Sequence, residues 1–290
     1  MTSASPGGGN ADAPEADILD ADMLETSAAR RLFGSLGEVG TVIGLLLAIV
    51  VIWQGAAIIF DPSPLILPSP LAIWNEFLLA PSYFLRMSLF TLYTTLAGFG
   101  LAVVLGLALA VGIVHSKFME RTVYTLLVAL NSVPKVALAP LFVIWMGTGI
   151  EPKIAIALML ALFSVVIDSV LGLRSVDPDM INLARASRAS SFAILSKIRF
   201  PNALPSVFAG LKVAISFALV GAIVGEFVAG SEGLGFAILT AQGQFDTPRV
   251  FVCLILLGIL GTILFYVVEA LERLLLPWHV SQRVPGGPGH

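Results

Sequence analysis

Four ionisable residues lie inside long apolar runs of this 290-residue sequence, namely Lys135, Asp168, Lys212 and Glu226. A charge in apolar surroundings is costly, and in membrane helices such residues usually face a protein interior or a cavity. The chemistry open to them is electrostatic contact with each other, with an ion or with a small solute. Bond-breaking chemistry is not expected, because the sequence contains neither a nucleophile motif nor H-E-x-x-H, one of which an intramembrane hydrolase needs.

Lys135 and Asp168 allow two interpretations, which the sequence leaves open. They can pair with each other and hold the third apolar run to the fourth. Alternatively, Lys135, which follows Pro134, can line a pathway and attract an anion. Lys212 lies near the inner end of its run, where a long side chain can reach the interface. Glu226 lies near the outer end of the same run, either as an interfacial residue or as part of an outer gate.

The composition identifies the bilayer as the solvent for most of the chain. Hydrophobic residues make up 57% and charged residues 12%, and the mean hydropathy is +0.95. An average soluble protein has about twice that charged fraction. These values exclude a cytosolic enzyme, a secreted disulfide scaffold and a nucleic-acid-binding module. Cys253 is the single cysteine, so no intrachain disulfide can form, and no Cys/His spacing indicates a metal site.

Six apolar stretches are long enough to cross a bilayer, which requires about 20 helical residues. None has the alternating pattern of a barrel strand, so the predicted fold class is all-α, a polytopic membrane protein with six transmembrane helices. The stretches are 39–60, 85–114, 122–147, 153–173, 206–228 and 250–276. Small residues repeat every four positions in the second and fifth stretches, which favours close packing of neighbouring helices.

The placement of lysine and arginine predicts the orientation. If the N-terminus is cytoplasmic, Arg86, Lys153 and Arg249 lie outside, Lys135 and Lys212 lie within spans, and the other eleven of the 16 bases lie inside. This bias predicts a multi-pass protein of the cytoplasmic (inner) membrane with both termini in the cytoplasm. Two outer loops have helical patterns. Residues 71–78 fit a short amphipathic helix, and the glycine-rich residues 229–249 fit a segment that folds back into the mouth of a bundle.

The first 29 residues contain six acids, no base and many Gly, Ala, Ser and Pro residues. Such a composition cannot bury a core, and it lacks the basic start and apolar region of a signal peptide. The predicted organisation is a disordered acidic cytoplasmic tail (1–35), a transmembrane domain (36–280) and a C-terminal tail (281–290).

The inner loop at 174–205 is longer than a simple connection requires. Asp177 and Pro178 are typical of a helix start, and Ser190 can cap a second helix. Pro201 and Pro205 are predicted to end that second helix before the fifth span. Two amphipathic helices on the cytoplasmic face would form a docking element for a soluble partner.

This loop resembles the EAA loop of ABC importer permeases, whose pattern is E-A-A, three residues, G, nine residues and I-x-L-P. Placing 198–201 on the end of that pattern puts 182–184 at E-A-A and Arg188 at the family glycine. The spacing, Ala184 and the I-x-φ-P end match, whereas the Glu and the Gly do not. Arg188 has a Cβ, so a left-handed turn at this position costs about 1 kcal/mol.

Other stretches of the chain are similar to the nitrate/sulfonate/taurine branch of these permeases. They are PSPLAIWNEF, PKVALAPLFVIWMGTG, LRSVDPDMI, VGEFVAGSEGLGFAI and ERLLLPWH. The resemblance implies the type I ABC importer permease fold. It also implies a second permease copy as a homodimer, two ATP-binding subunits, an extracytoplasmic solute-binding protein and a small solute such as a sulfonate, taurine, nitrate or a thiamine-precursor pyrimidine.

ATP hydrolysis is expected in a partner, because the chain has no G-x-x-x-x-G-K-[ST] motif and no Gly-Lys dipeptide. ATP and Mg would therefore bind the partner ATPase, and no cofactor is expected on this chain. The resemblance implies that each ATPase grips the loop. Because Asn182 can offer only neutral hydrogen bonds where the family Glu is charged, we expect docking mainly through apolar contacts, with Arg185 or Arg188 reaching acidic groups on the partner. The predicted coupling residues are Met180, Ile181, Asn182, Leu183, Ala184, Arg185, Arg188, Ile198 and Pro201.

The residues assigned to a pathway or gate are Pro134, Lys135, Asp168 and Glu226. An alternative function is an ion-coupled secondary transporter, in which Asp168 and Glu226 would carry the coupling ions. That class of transporter typically has broken helices in inverted repeats, and the sequence has no self-similar halves.

Overall fold

The computed structural model describes residues 40–41, 43–60, 62–63 and 65–277. The predicted acidic tail (1–35) and C-terminal tail (281–290) lie outside the described residues, so the division into these domains stays a prediction. In the described part of the chain the regular elements are helices and no strand occurs, which confirms the all-α prediction.

The helices belong to two units. The first unit ends at Pro62 and contains α1 (Ile43–Phe60). The second unit begins at Ser63 and contains the helices that follow in the described residues. These are α2 (Pro70–Leu79), α3 (Pro81–His115), α4 (Lys117–Asn131), α5 (Lys135–Met146), α6 (Glu151–Arg174), α7 (Pro178–Ala186), α8 (Ser191–Ala229), α9 (Leu234–Gly243) and α10 (Thr247–Leu275).

Within the described residues, five helices are long and apolar enough to cross a membrane: α1, α3, α6, α8 and α10. The third predicted span, 122–147, is not the single helix that the sequence led us to expect. It consists of α4 and α5, which meet at a bend of 92° and make a sixth span only as a pair. Pro134 explains the break, because it has no N–H to donate and its ring disfavours a helical conformation at Val133.

The helix after the docking loop also differs from the prediction, because α8 does not end at Pro201 or Pro205. Its first part contains a π-turn, Leu195–Arg199, directly before Phe200. A π-turn shifts the hydrogen-bond register, so the missing N–H of Pro201 falls next to a turn that is already irregular. The fifth span therefore continues from the docking loop as one helix of 39 residues.

Small residues form the contacts at the centre of the second unit, where α6 packs against both α3 and α8. Ala102 on α3, Ala157 on α6 and Ala214 on α8 are completely buried. A Cβ added at Gly98 would lie 2.5 Å from the Ala157 Cβ. The predicted small-residue packing is thus confirmed, and it brings polar groups on different helices close together.

Both helical patterns in the outer loops are present. A helix is confirmed at 71–78, where α2 begins after Ser69, whose hydroxyl accepts a hydrogen bond from the Ala72 N–H. The fold-back of 229–249 is also confirmed, since α9 buries Leu234 and Ala237 and packs against α3, α8 and α10.

Candidate functional site

A cavity of about 580 Å³ lies beside the break between α4 and α5. Its walls come from these two helices, α6 and α8. The apolar walls include Phe163 and Phe217. Four polar side chains line the cavity, which we call the polar cavity: Asn131, Lys135, Ser164 and Asp168. A few convergent polar groups in apolar walls are typical of a site for a small molecule.

Lys135 is the first residue of α5 and directly follows Pro134. Its Nζ donates a hydrogen bond to Asn131 Oδ1 and lies 4.8 Å from the centre of the Phe163 ring. The ammonium group is therefore held by an amide on α4 and by the face of an aromatic ring on α6. The break at Pro134 allows this arrangement, because it lets α5 begin at the cavity rather than continue the axis of α4.

Asp168 lies on α6, at another wall of the polar cavity. Its Oδ2 accepts a hydrogen bond from Ser164 Oγ at 3.4 Å, near the upper limit for such a bond. Helix α8 comes very close, since a Cβ added at Gly210 would lie 2.6 Å from the Asp168 Cβ. No ion pair joins Lys135 to Asp168 in the described part of the chain. The structure thus brings the two around one cavity without direct contact, and their role in a pathway stays a prediction.

Glu226 is completely buried near the end of α8. Its Oε1 accepts a hydrogen bond from Thr91 Oγ1 at 2.8 Å, and its Oε2 accepts one from the Gly235 N–H at 2.8 Å. The Leu234 N–H in turn donates to Thr91 Oγ1 at 2.8 Å. The carboxylate therefore holds the first turn of α9. The N–H groups there have no intrahelical partners, and together with the helix dipole they favour a negative charge.

Lys153 completes this group of residues, which we call the Glu226 cluster: Thr91, Lys153, Glu226 and the first turn of α9. The Lys153 side chain is almost fully buried, and its Nζ donates to the carbonyl oxygen of Gly149 at 2.6 Å. Its charge acts on Glu226 and lies over the ring of Phe90. From the sequence, Lys153 was expected to be a base on the outer side, and Thr91 gave no signal of its own. The signal in the sequence was Gly225, next to Glu226, because a glycine can mark a close approach of another helix. In the structure a Cβ at Gly225 would lie 2.8 Å from the Lys153 Cα.

The docking loop contains the two helices that the sequence predicts. Helix α7 begins after Asp177, whose side chain accepts a hydrogen bond from the Asp179 N–H. Met180 and Leu183 are exposed, Leu183 to 70%, whereas Ile181 is buried. Helix α7 therefore has an exposed apolar side with no partner from the described residues. This is compatible with docking, which stays a prediction.

Arg188 ends this helix in a left-handed conformation, with a φ of 58°. The Arg188 N–H donates to the Arg185 carbonyl oxygen, and the Ala189 N–H donates to that of Ala184, both at 2.9 Å. These two bonds define a Schellman motif, in which glycine is the usual left-handed residue. Arg188 therefore adopts the left-handed turn that its Cβ makes costly, at the position aligned with the family glycine.

The remaining predicted coupling residues lie near the start of α8. Ser190 caps this helix by accepting a hydrogen bond from the Ala193 N–H. Ile198 is half-buried in the π-turn, and Pro201 follows within the helix. Lys212, further along α8, forms an ion pair of 2.7 Å with Glu272 on α10, so it joins two spans.

The chain is similar in sequence to permease subunits of membrane transport systems. A family model described as "Binding-protein-dependent transport system inner membrane component" matches residues 102–277. The chain is 35% identical over 237 residues to ThiX, a formylaminopyrimidine transport permease protein of Halalkalibacterium halodurans, covering 81% of this chain and 94% of ThiX. It is 32% identical over 267 residues to SsuC of Bacillus subtilis, a candidate aliphatic sulfonates transport permease protein, covering 90% of this chain and 94% of SsuC.

The fold is also similar to that of a solved transporter subunit. An inward-facing structure of the MetNI methionine ABC transporter superposes with a TM-score of 0.61 at 20% sequence identity. The superposition covers 68% of this chain and 97% of the solved chain. At this identity, the similarity concerns the fold alone.

Proposed function

Because the chain belongs to the family of binding-protein-dependent transport system inner membrane components, the permease subunits of ABC importers, we propose that it forms a pathway for a nitrogen heterocycle. In this proposal two copies of the chain face each other in the cytoplasmic membrane, with both termini in the cytoplasm. Two ATP-binding subunits, which carry ATP and Mg, dock below them. An extracytoplasmic solute-binding protein delivers the solute from above.

The observation that carries the proposal is the polar cavity. Lys135 and Asp168 lie within helices that are assigned to the membrane. Charged groups that faced lipid at these positions would strongly destabilise the protein. The neighbouring face of α8 is open, with Phe217 exposed to 47%. A second copy that covers this face would remove the charges from lipid and enclose a polar route between the two subunits.

The side chains of the polar cavity favour one class among the candidate solutes. Lys135 and Asn131 offer hydrogen-bond donors, Asp168 offers acceptors, and Phe163 offers an aromatic face. A nitrogen heterocycle with ring acceptors and an amino group can use all three. A sulfonate or nitrate offers only acceptors, so it can pair with Lys135 but cannot use Asp168, whose negative charge repels it. The name of ThiX, but not that of SsuC, refers to a solute with this chemistry.

The continuous helix α8 supports a route for energy coupling. It begins in the docking loop at Ser191 and reaches Ala229 without a break, passing Phe217 at the polar cavity. Closure of the ATP-binding subunits around α7 would therefore move the cavity wall together with the loop as a rigid body. Family membership does not favour an ion-coupled secondary transporter, which would use no ATP.

The test measures the uptake of a labelled aminopyrimidine into proteoliposomes that contain the full complex and ATP. Unlabelled aminopyrimidines should compete for this uptake, whereas ethanesulfonate should not. The uptake should stop when ATP is replaced by a non-hydrolysable analogue. Uptake that continues without hydrolysis would contradict the importer function. ATP-dependent uptake that ethanesulfonate inhibits more strongly than aminopyrimidines would contradict the proposed solute and leave the importer function standing.

A further inference from the structure

A second cavity, of about 200 Å³, lies at the end of the bundle that carries the docking loop. It is bounded by the end of α3, by α7 and by the start of α8. One side is apolar, formed by Val111 and Val114 of α3. The polar side carries His115, Arg185, Ser191 and Arg199. We call this the basic cavity. It shares no lining residue with the polar cavity.

The basic cavity contains positive charge with no compensating acid in the described part of the chain. Arg185 and Arg199 form no ion pair there. The charged groups near enough to act on Arg199 are Arg185 and Arg174, and both are cationic. Arg174 is already paired with Glu120, at 3.0 Å. As far as the described residues show, two guanidinium groups that converge on one cavity are therefore available to an anion.

The position of Arg185 on α7 supports this interpretation. Arg185 is four residues after Ile181, which places both on one side of the helix, and Ile181 is buried. Met180 and Leu183 are exposed. Arg185 thus lines the basic cavity behind the docking helix, whereas the exposed apolar residues remain free to meet an ATP-binding subunit.

We propose that the basic cavity binds the phosphate of an anionic phospholipid headgroup. Guanidinium groups bind phosphate oxygens through paired hydrogen bonds, and the Ser191 hydroxyl can donate another. Val111 and Val114 offer an apolar wall to the first carbons of the acyl chains. Basic pockets between transmembrane helices at the cytoplasmic side suit such headgroups. Assignment to the inner leaflet rests on the orientation given under the proposed function.

A bound phosphate would connect three elements that otherwise meet through few polar contacts. It would contact Arg185 on α7, Arg199 on α8 and His115 on α3. The docking helix pair would then be fixed to the bundle by a lipid, and its rigidity would depend on the anionic lipid content of the membrane.

The proposal is tested by lipid titration of the purified full chain, measured by native mass spectrometry in a mild detergent. The probes are phosphatidylglycerol, phosphatidylcholine and inorganic phosphate. Phosphatidylglycerol should bind about tenfold more tightly to the unaltered chain than to Arg199→Gln, since a hydrogen bond to a charged group is lost. Lys197→Gln is the matched control, because Lys197 is exposed in the same π-turn and does not line the basic cavity.

Arg185→Gln provides a second variant on an exposed helix in case Arg199→Gln folds poorly, and it should show the same loss. Equal binding of phosphatidylglycerol to Arg185→Gln and Lys197→Gln would overturn the proposal. So would equal binding of phosphatidylcholine and phosphatidylglycerol, or displacement of the lipid by millimolar inorganic phosphate, which would indicate a free anion as the ligand. The measurement uses neither ATP nor solute, so its outcome is independent of the transport function.

Discussion

The Glu226 cluster and the polar cavity each place an acid and a lysine within membrane-spanning helices, but they differ in how far these charges are satisfied. Glu226 accepts two hydrogen bonds of 2.8 Å and has no exposed surface. Asp168 accepts one bond of 3.4 Å and faces a cavity of about 580 Å³. A carboxylate with complete partners stabilises the fold, whereas one with free acceptor capacity is available to a solute.

The two lysines differ in the same way. Lys153 is buried and bound by the backbone at the start of α6, where it also acts on Glu226. Lys135 is bound by a single amide across a helix break and remains at the cavity surface. We infer that the residue types alone do not separate structural from functional charges in this bundle, but the number of their partners does.

The largest effect is expected for Glu226→Ala. The change leaves the Thr91 hydroxyl and the Gly235 N–H without their acceptor in a buried site, at about 1–3 kcal/mol each, and removes the acid that acts most strongly on Lys153. The free energy of unfolding of the purified chain should fall accordingly, whereas Glu269→Ala, which removes an acid paired with an exposed arginine, should change it little. Normal stability with lost uptake would make Glu226 a gate residue and remove the contrast with Asp168.

A comparable loss, in coupling rather than stability, is expected for Ala184→Asp in the docking loop. The new carboxylate would lie unpaired in the contact with an ATP-binding subunit, at a cost of about 3 kcal/mol or more. Solute-stimulated ATPase activity of the full complex should fall strongly, while Ala184→Ser should retain it. Undiminished stimulation in Ala184→Asp would mean that α7 is not the docking helix.

Lys135→Met should lower uptake about tenfold at a normal yield of the complex, because one charged contact to the solute is lost. Lys117→Met, a change of an exposed lysine at the start of α4, is the control. The double variant Lys135→Met, Asp168→Asn then separates the two interpretations of the cavity. If Lys135→Met instead lowers the yield and the double variant restores it, the two residues are a structural pair like those of the Glu226 cluster.

A smaller gain is expected for Arg188→Gly. The left-handed conformation at this residue is costly for any side chain with a Cβ, so glycine should raise the stability of the docking loop by about 1 kcal/mol. Hydrogen exchange of the 184–189 amides in the full chain would detect slower opening of the Schellman turn. Faster exchange would mean that the arginine side chain contributes more than the backbone strain costs.

The smallest effect is expected for deletion of residues 1–29, whose acidic composition, rich in Gly and Ala, predicts no folded core. Both insertion into the membrane and uptake should remain near those of the full chain. Loss of assembly after the deletion would show that the acidic segment binds a partner.

Much of this arrangement could be predicted because it depends on local patterns. Asp177 and Ser190 cap the helices that their positions indicate, whereas the left-handed conformation of Arg188 was recognised only as a possible cost. The Glu226 cluster could not be predicted in this way, since Thr91 and Glu226 are 135 residues apart in the chain. Proline was also ambiguous: Pro134 separates two helices, whereas Pro201 follows a π-turn and lies within α8.

The bend at Pro134 has a consequence that side-chain substitution cannot remove. Where one helix stops and another begins, the last carbonyl groups and the first N–H groups lose their intrahelical partners. The 92° break between α4 and α5 lies at the polar cavity, whose lining includes Asn131, Val133, Lys135 and Val136, so we expect main-chain groups without helical partners to add to its polarity. A permease with such a break can therefore change its solute during evolution by exchanging side chains such as Lys135, while the main-chain groups at the break stay polar.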